Sequence, residues 1–209
     1  MPTPYNRIAG QSVERLAALS DGVFAVAMTL LVLDLHAPAV EAVHNEADLS
    51  HALLAIAPRL LIYLMSFMTL GIFWVGQQTQ LNCLAQSSRD LTWTHLGFLL
   101  AVTLTPFSTA LMAEFLAYRT ALMVYWANIA LLGGILYASW RCAVRAGLVK
   151  AEIPPDLGKG VERRIIIAQS LYAFGALLSV FNTYCSIGFI ILVQLNYVLA
   201  PRLWVLSRL

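Results

Sequence analysis

The sequence predicts an all-α integral membrane protein built as one domain, residues 1–209, with six spanning helices and both termini cytoplasmic. Three observations carry this. The 209 residues are 60% hydrophobic and 11% charged, where a soluble domain of this length needs about a quarter of its residues charged to cover its surface; the mean hydropathy is +0.75. Six apolar runs each approach the roughly 20 residues that cross a hydrocarbon core of about 30 Å. The Lys and Arg residues, 13 in all, concentrate in alternate connections.

The runs lie at about 13–35, 52–76, 91–113, 121–144, 163–181 and 185–206. The first contains RLAALSDGVFAVAMTLLVL, Arg15 to Leu33, and sets Arg15, Ser20 and Asp21 in an otherwise apolar helix. Ionisable groups at membrane depth are expensive and read first as functional candidates. The second run holds Pro58 and Arg59, and Arg59 is expected to snorkel to the outer headgroups. In the third, Pro106 should kink the span or free a backbone carbonyl. Gly133-Gly134 in the fourth, Gly175 in the fifth and Gly188 in the sixth read as points of close packing. Only Phe181-Asn182-Thr183-Tyr184 separates the last two runs. One continuous helix there would overshoot any bilayer, so a tight hairpin is expected, with Asn182, Gln194 and Asn196 as polar glue between helices.

Charge gives the orientation. Residues 36–51 contain Glu41, Glu46 and Asp48 without a Lys or Arg, whereas Arg141, Arg145, Lys150, Lys159, Arg163 and Arg164 crowd the fourth-to-fifth connection. Arg7 lies before the first run, and Arg202 and Arg208 near the end of the chain. Positive-inside then makes both termini and the loops after helices two and four cytoplasmic, which requires an even number of spans. Arg119, in the third-to-fourth connection, stands outside the pattern. The net charge of +2 is too balanced and too dispersed for a nucleic-acid partner. Cys83, Cys142 and Cys185 are far apart without C-x-x-C spacing and read as packing residues, and no metal site is expected. The first run is long enough to span, so a cleaved leader is not expected. No P-loop, dinucleotide fingerprint, H-E-x-x-H or G-x-S-x-G occurs, so an enzyme is not expected and no cofactor is implied; a T-V-G-Y-G filter is also missing.

The first helix has distinct faces. At 100° per residue, Ala18, Val26, Thr29 and Leu33 fall within about 40° of Gly22. Copies of this helix meeting around an axis would make a narrow apolar pore with a threonine ring, since hydrophobic constrictions gate by dewetting. The same stripe equally suits an ordinary helix-helix interface with Thr29 bonding back to its own helix. Asp21 lies about 100° from Gly22. Arg15, six residues before Asp21, is about 120° away around the helix, so each needs a partner from another helix. Trp74, Gln77 and Gln78 at the end of helix two, and Trp93 and His95 at the start of helix three, share that depth and can donate to a carboxylate. A buried network of Arg15, Ser20, Asp21, Trp74, Gln77 and His95 linking three helices is the expected result. For Asp21 a structural clamp, a proton relay and a cation site all remain open.

Arg15-x-x-x-Leu19-Ser20-Asp21 followed by G-V-F-A-V-A-M-T-L-L-V-L resembles the R-x-x-x-F-S-D signature of the transmembrane protein 175 family, lysosomal potassium channels and their bacterial relatives. The similarity continues through Ser66-Phe67, Phe73-Trp74 and L-T-P-F-S-T-A-L-M-A-E, residues 104–114, and covers about the first 115 residues. It implies a homotetramer around a central pore lined by helix one, with Gly22, Val26, Thr29 and Leu33 as pore positions, an apolar constriction and a threonine layer favouring potassium. Arg15, Ser20 and Asp21 would hold helix one against helices two and three. Leu19 replaces the signature phenylalanine, Gln77 and Gln78 stand where a histidine pair commonly follows the tryptophan, and His95 stands where an amide is frequent. The expected function is a potassium-permeable channel of the bacterial inner membrane, with the bilayer, its own copies and transient potassium near Thr29 as partners. A proton-coupled small-solute transporter and a non-conducting membrane scaffold are the alternatives.

Overall fold

The computed structural model describes residues 12–199. Arg7, Arg202 and Arg208, and the last turns of the sixth expected span, lie outside them. Over the described residues all six apolar runs are largely helical. Their bounds are α1 Val13–Leu30, α2 Glu46–Asn82, α3 Arg89–Thr103, α4 Thr105–Glu114, α5 Arg119–Arg145, α6 Pro155–Leu178 and α7 Thr183–Leu199. The third run is split between α3 and α4 by a break at Leu104, and α1 tightens into a 3-10 turn over Leu31–Asp34.

Local chemistry sets the ends. Ser12 accepts from the Arg15 N–H and Ser88 from the Leu91 N–H, satisfying donors that the first turns of α1 and α3 leave free. Helix α2 begins six residues before the apolar run because Asn45 accepts from the Asp48 N–H, while Asp48 accepts from the His44 N–H. Its 37 residues reach about 55 Å at roughly 1.5 Å per residue. Helix α6 likewise begins ahead of its apolar run, with Asp156, Lys159 and Glu162 already helical. Among the described residues four stretches are long and apolar enough to cross a membrane, Val13–Asp34, Glu46–Asn82, Arg89–Glu114 and Arg119–Arg145. Helix α6 is diluted by its charged start, and Thr183–Val198 is a shorter apolar helix.

Polar contacts identify which ends lie together. Arg59 of α2 pairs with Glu114 at the end of α4 at 2.6 Å, so it has a protein carboxylate as partner where the sequence suggested only headgroups. Arg119, the basic residue outside the charge pattern, donates to the Val180 carbonyl just beyond α6 at 2.6 Å. At the opposite, basic end, the Lys150 ammonium donates to the Asn82 carbonyl at 2.9 Å, closing the C-terminus of α2. There Leu84 and Val149 form an isolated antiparallel bridge, with Ala85 N–H donating to Leu148 and Lys150 N–H to Cys83. Gly147 makes the preceding turn at φ 64°, a left-handed conformation suited to glycine. Successive legs therefore run in alternate directions.

The core joins Phe24 and Ala27 of α1 and Leu31 of the turn after it to Ile62, Met65 and Leu70 of α2, Phe98 of α3, and Leu122, Tyr125 and Ile129 of α5. Glycines act as close-packing points at two of the four expected positions. A Cβ on Gly133 would collide with the Gln169 side chain, and one on Gly175 would come within 2.9 Å of Ile190 Cγ1. At Gly134 and Gly188 nothing lies within 4 Å. Asn182 caps α7, its side chain accepting from the Tyr184 N–H at 2.7 Å, and is not interhelical glue. Cys83 is buried as a packing residue, but Cys185 is exposed.

Candidate functional site

Helix α1 presents two chemically different sides. Leu16, Ser20, Phe24 and Ala27, with Leu31 in the following turn, are buried against the rest of the chain. The stripe Ala18, Gly22, Val26, Thr29 and Leu33 is exposed throughout, Val26 at 58% and Leu33 at 65%. Thr29 donates its hydroxyl hydrogen to the Val26 carbonyl at 2.8 Å, the back-bonding expected of a threonine within an apolar helix. Its oxygen lone pairs are thereby left to face outward.

The buried side is fastened by two polar sets. Ser20 and Asp21 are successive on α1, so they diverge by about 100°, and they meet residues that diverge in the same way on α2. Asp21 Oδ1 accepts from Trp74 Nε1 at 2.8 Å and from Gln78 Nε2 at 2.6 Å. Ser20 accepts from Gln77 Nε2 at 3.0 Å and lies 2.7 Å from His95 Nε2, itself 3.1 Å from Gln77 Nε2. The single Ser20 hydrogen has two acceptors at 2.7 Å, the Leu16 carbonyl and His95 Nε2. With the ring proton assigned to Nδ1, the triad closes without donor facing donor. Ser20, Gln77 and His95 are all buried, whereas Trp74 and Asp21 are partly open at the edge. The expected single network is thus two: Asp21 ties α1 to α2, and Ser20 ties α1, α2 and α3 together.

Arg15 is the residue the expected network includes and the structure leaves out. Its side chain is exposed and has no polar partner among the described residues. Its position about 120° from Asp21 points it away from α2 and α3. Trp93 is also outside both sets, 65% exposed.

A third polar set contains Gln194, expected as glue between helices, but its other members escape the sequence reading. In mid-bundle, Tyr125 OH contacts Thr69 Oγ1 at 2.9 Å and accepts from Ser66 at 3.3 Å. Thr109 donates to Ser66 at 2.8 Å and Gln194 donates to Thr69 at 2.6 Å. Beside them Asn128 repairs the α3–α4 break. Oriented to satisfy both ends of its amide, it donates to the Ala101 carbonyl at 3.1 Å and accepts from Thr105 Oγ1 at 3.0 Å and the Thr105 N–H at 3.3 Å. Pro106 was the available signal, since a proline inside a span requires a neighbour to satisfy the backbone groups it frees. Among the described residues no group of three or more His, Cys, Asp or Glu gathers to hold a metal ion.

Comparisons with known proteins match this architecture. The family model described as "Endosomal/lysosomal potassium channel TMEM175" matches residues 15–106, from Arg15 on α1 to Pro106. A protein named as a potassium channel in Streptomyces collinus is 35% identical over 137 residues, 64% of this chain and 65% of that one; the chain thus spans slightly under two thirds of that relative. One so named in Chamaesiphon minutus is 29% identical over 178 residues, 83% of this chain and 87% of its own length. The crystal structure of a lysosomal potassium-selective channel TMEM175 homologue from Chamaesiphon minutus shares the fold with a TM-score of 0.79 and 26% identity, over 91% of this chain and 98% of that one. These relatives are named as channels, not as enzymes.

Proposed function

We propose that this chain, a member of the TMEM175 family, forms a potassium-permeable channel in a bacterial inner membrane, four copies meeting around a pore lined by the free stripe of α1. One observation carries the reading: Gly22, Val26, Thr29 and Leu33 are uncovered on a helix whose other side is buried and hydrogen-bonded into its own subunit. A helix anchored behind and bare in front suits a pore wall. Small Gly22 lets copies approach, Val26 and Leu33 narrow the passage with apolar side chains, and Thr29 offers a partly dehydrated cation oxygens whose hydrogen is already committed to the backbone. Potassium is the permeant ion in this reading, and no cofactor is required.

The same reading makes residues 1–209 one domain in which all six legs cross the bilayer. Helix α6 would cross with Arg163 and Arg164 at the headgroups, and the end carrying Arg145, Lys150 and both termini would face the cytoplasm. Arg59 and Glu114, paired at the opposite end, would then lie at the outer surface. Ser20, Asp21, Trp74, Gln77, Gln78 and His95 have the structural part, holding the pore helix in register.

The test is ion flux into liposomes holding the purified protein, with potassium and sodium compared in wild type and Thr29→Ala. The expected outcome is potassium flux above sodium flux, with the preference narrowed in the variant. Correctly folded protein that passes neither ion overturns the channel and leaves a scaffold. Flux that saturates with a solute and follows the proton gradient would replace it with a coupled transporter.

A further inference from the structure

We propose that the pocket behind the Ser20 triad is a binding site for one ordered water molecule, which joins the triad to α5. The pocket is lined by Gln77, Gln80, Leu81 and Leu84 from the α2 end, His95 from α3, and Ser139, Trp140 and Ala143 from α5. It offers about 10 Å³ to the centre of a water-sized sphere, which matches the roughly 10–15 Å³ that a single water needs.

Its chemistry is that of a water site. Gln77, Gln80 and Trp140 are 1%, 4% and 1% exposed. Each has a buried polar atom without a protein partner, namely Gln77 Oε1, Gln80 Nε2 and Trp140 Nε1. Unpaired buried groups of this kind cost free energy, and a bridging water removes the cost of all three together. The set is complementary: Gln80 Nε2 and Trp140 Nε1 donate to the water oxygen, and the water donates to Gln77 Oε1. Its second hydrogen is left for the Ser139 hydroxyl oxygen, which also lines the pocket. A cation does not fit, because two of the three groups present N–H. An anion does not fit, because no Lys or Arg lines the pocket. The volume admits nothing larger than water.

The consequence is a longer chain of contacts, running from Ser20 through Gln77 to the water and on to Trp140, so that α1 is referred to α5 as well as to α2 and α3. This stands apart from ion conduction and holds whether or not the protein passes potassium.

The experiment is a wild-type structure at about 2 Å in lipid nanodiscs, read with side-chain NMR of 15N-tryptophan-labelled protein in which the Trp140 indole resonance is assigned by Trp140→Phe. The expected result is a density peak about 2.7–3.2 Å from all three atoms, and cross-relaxation between the Trp140 indole N–H and a long-lived water. In Gln80→Met that cross-peak should weaken and indole exchange should accelerate. A pocket without density, or Gln80 turned to a protein acceptor, overturns the proposal, as does an indole N–H that stays protected yet shows no contact with water. The wild-type measurement stands even if neither variant folds.

Discussion

Two regions of this bundle are held by polar contacts, and they are held differently. In mid-bundle, hydroxyls and amides of α2, α4, α5 and α7 form a wholly buried set, with Asn128 closing the break beside it. Helix α1 takes no part in it. Among the described residues its polar bonds to other helices come only from Ser20 and Asp21, near its basic end. Beyond them Phe24, Ala27 and Leu31 attach it by apolar packing alone. Lipid tails solvate apolar side chains about as well as a protein does, so packing gives little preference for one rotation of a helix over another. Hydrogen bonds supply that preference. The body of the bundle is fixed through its middle, whereas α1 is fixed at one end.

Substitutions can break that contrast. The largest effect is expected from Asn128→Leu, which removes the side-chain acceptor of the Thr105 N–H and leaves the Ala101 carbonyl only the long bond from the Leu104 N–H at 3.3 Å. The cost should be about 2–4 kcal/mol, read as a large fall in the thermal midpoint of detergent-solubilised protein; an unchanged midpoint would mean that α5 does not repair the break. Next comes Ser20→Ala. It strips Gln77 and His95 of a shared partner and should cost about 1–3 kcal/mol, with cross-linking between α1 and α3 falling more than cross-linking within the mid-bundle set.

Asp21→Asn retains size and one acceptor oxygen but loses the charge that strengthens the bonds from Trp74 and Gln78. At this partly exposed site the expected cost is about 0.5–1 kcal/mol, together with a reduced yield of assembled protein on size exclusion. Full assembly at wild-type yield would remove the clamp role. The smallest effect sharpens the picture of packing within the body: Gly133→Ala must displace Gln169 and should destabilise, while Gly134→Ala, with open space around it, should match wild type within about 0.5 kcal/mol.

What the sequence made legible follows the physics of each signal. That the chain is helical was readable because its apolar runs are long; among the described residues four stretches are long and apolar enough to cross a membrane. The helix ends were less readable, because Asn45 and the charged turn 155–164 extend helices into water where apolarity is no longer required. The partners of Ser20 and Asp21 were readable by depth, since Trp74, Gln77, Gln78 and His95 had to lie at the same level. Arg15 shares their depth yet has no polar side-chain partner among the described residues, because equal depth does not ensure the same face. Tyr125, Asn128 and Thr69 sit in apolar runs without periodic or charge signal, so only the fold brings them together. Glu114, partner of Arg59, is distant in sequence and equally silent.

The two basic-end loops are stitched together by backbone and not only by side chains. The bridge between Leu84 and Val149, the Lys150 contact to Asn82, and the buried Leu148 beside them pin the end of α5 to the end of α2 ahead of residues 151–153, and the chain beyond is held by its own contacts, Gln194 to Thr69, Gln169 to the Ile129 carbonyl and Arg119 to the Val180 carbonyl, so the covalent link over 151–153 is dispensable. A protease cut there should yield a nicked protein that still elutes as one species and parts into two fragments only in denaturant. The gene could be divided at the same place, and the two pieces, made separately, would be expected to find each other in the membrane.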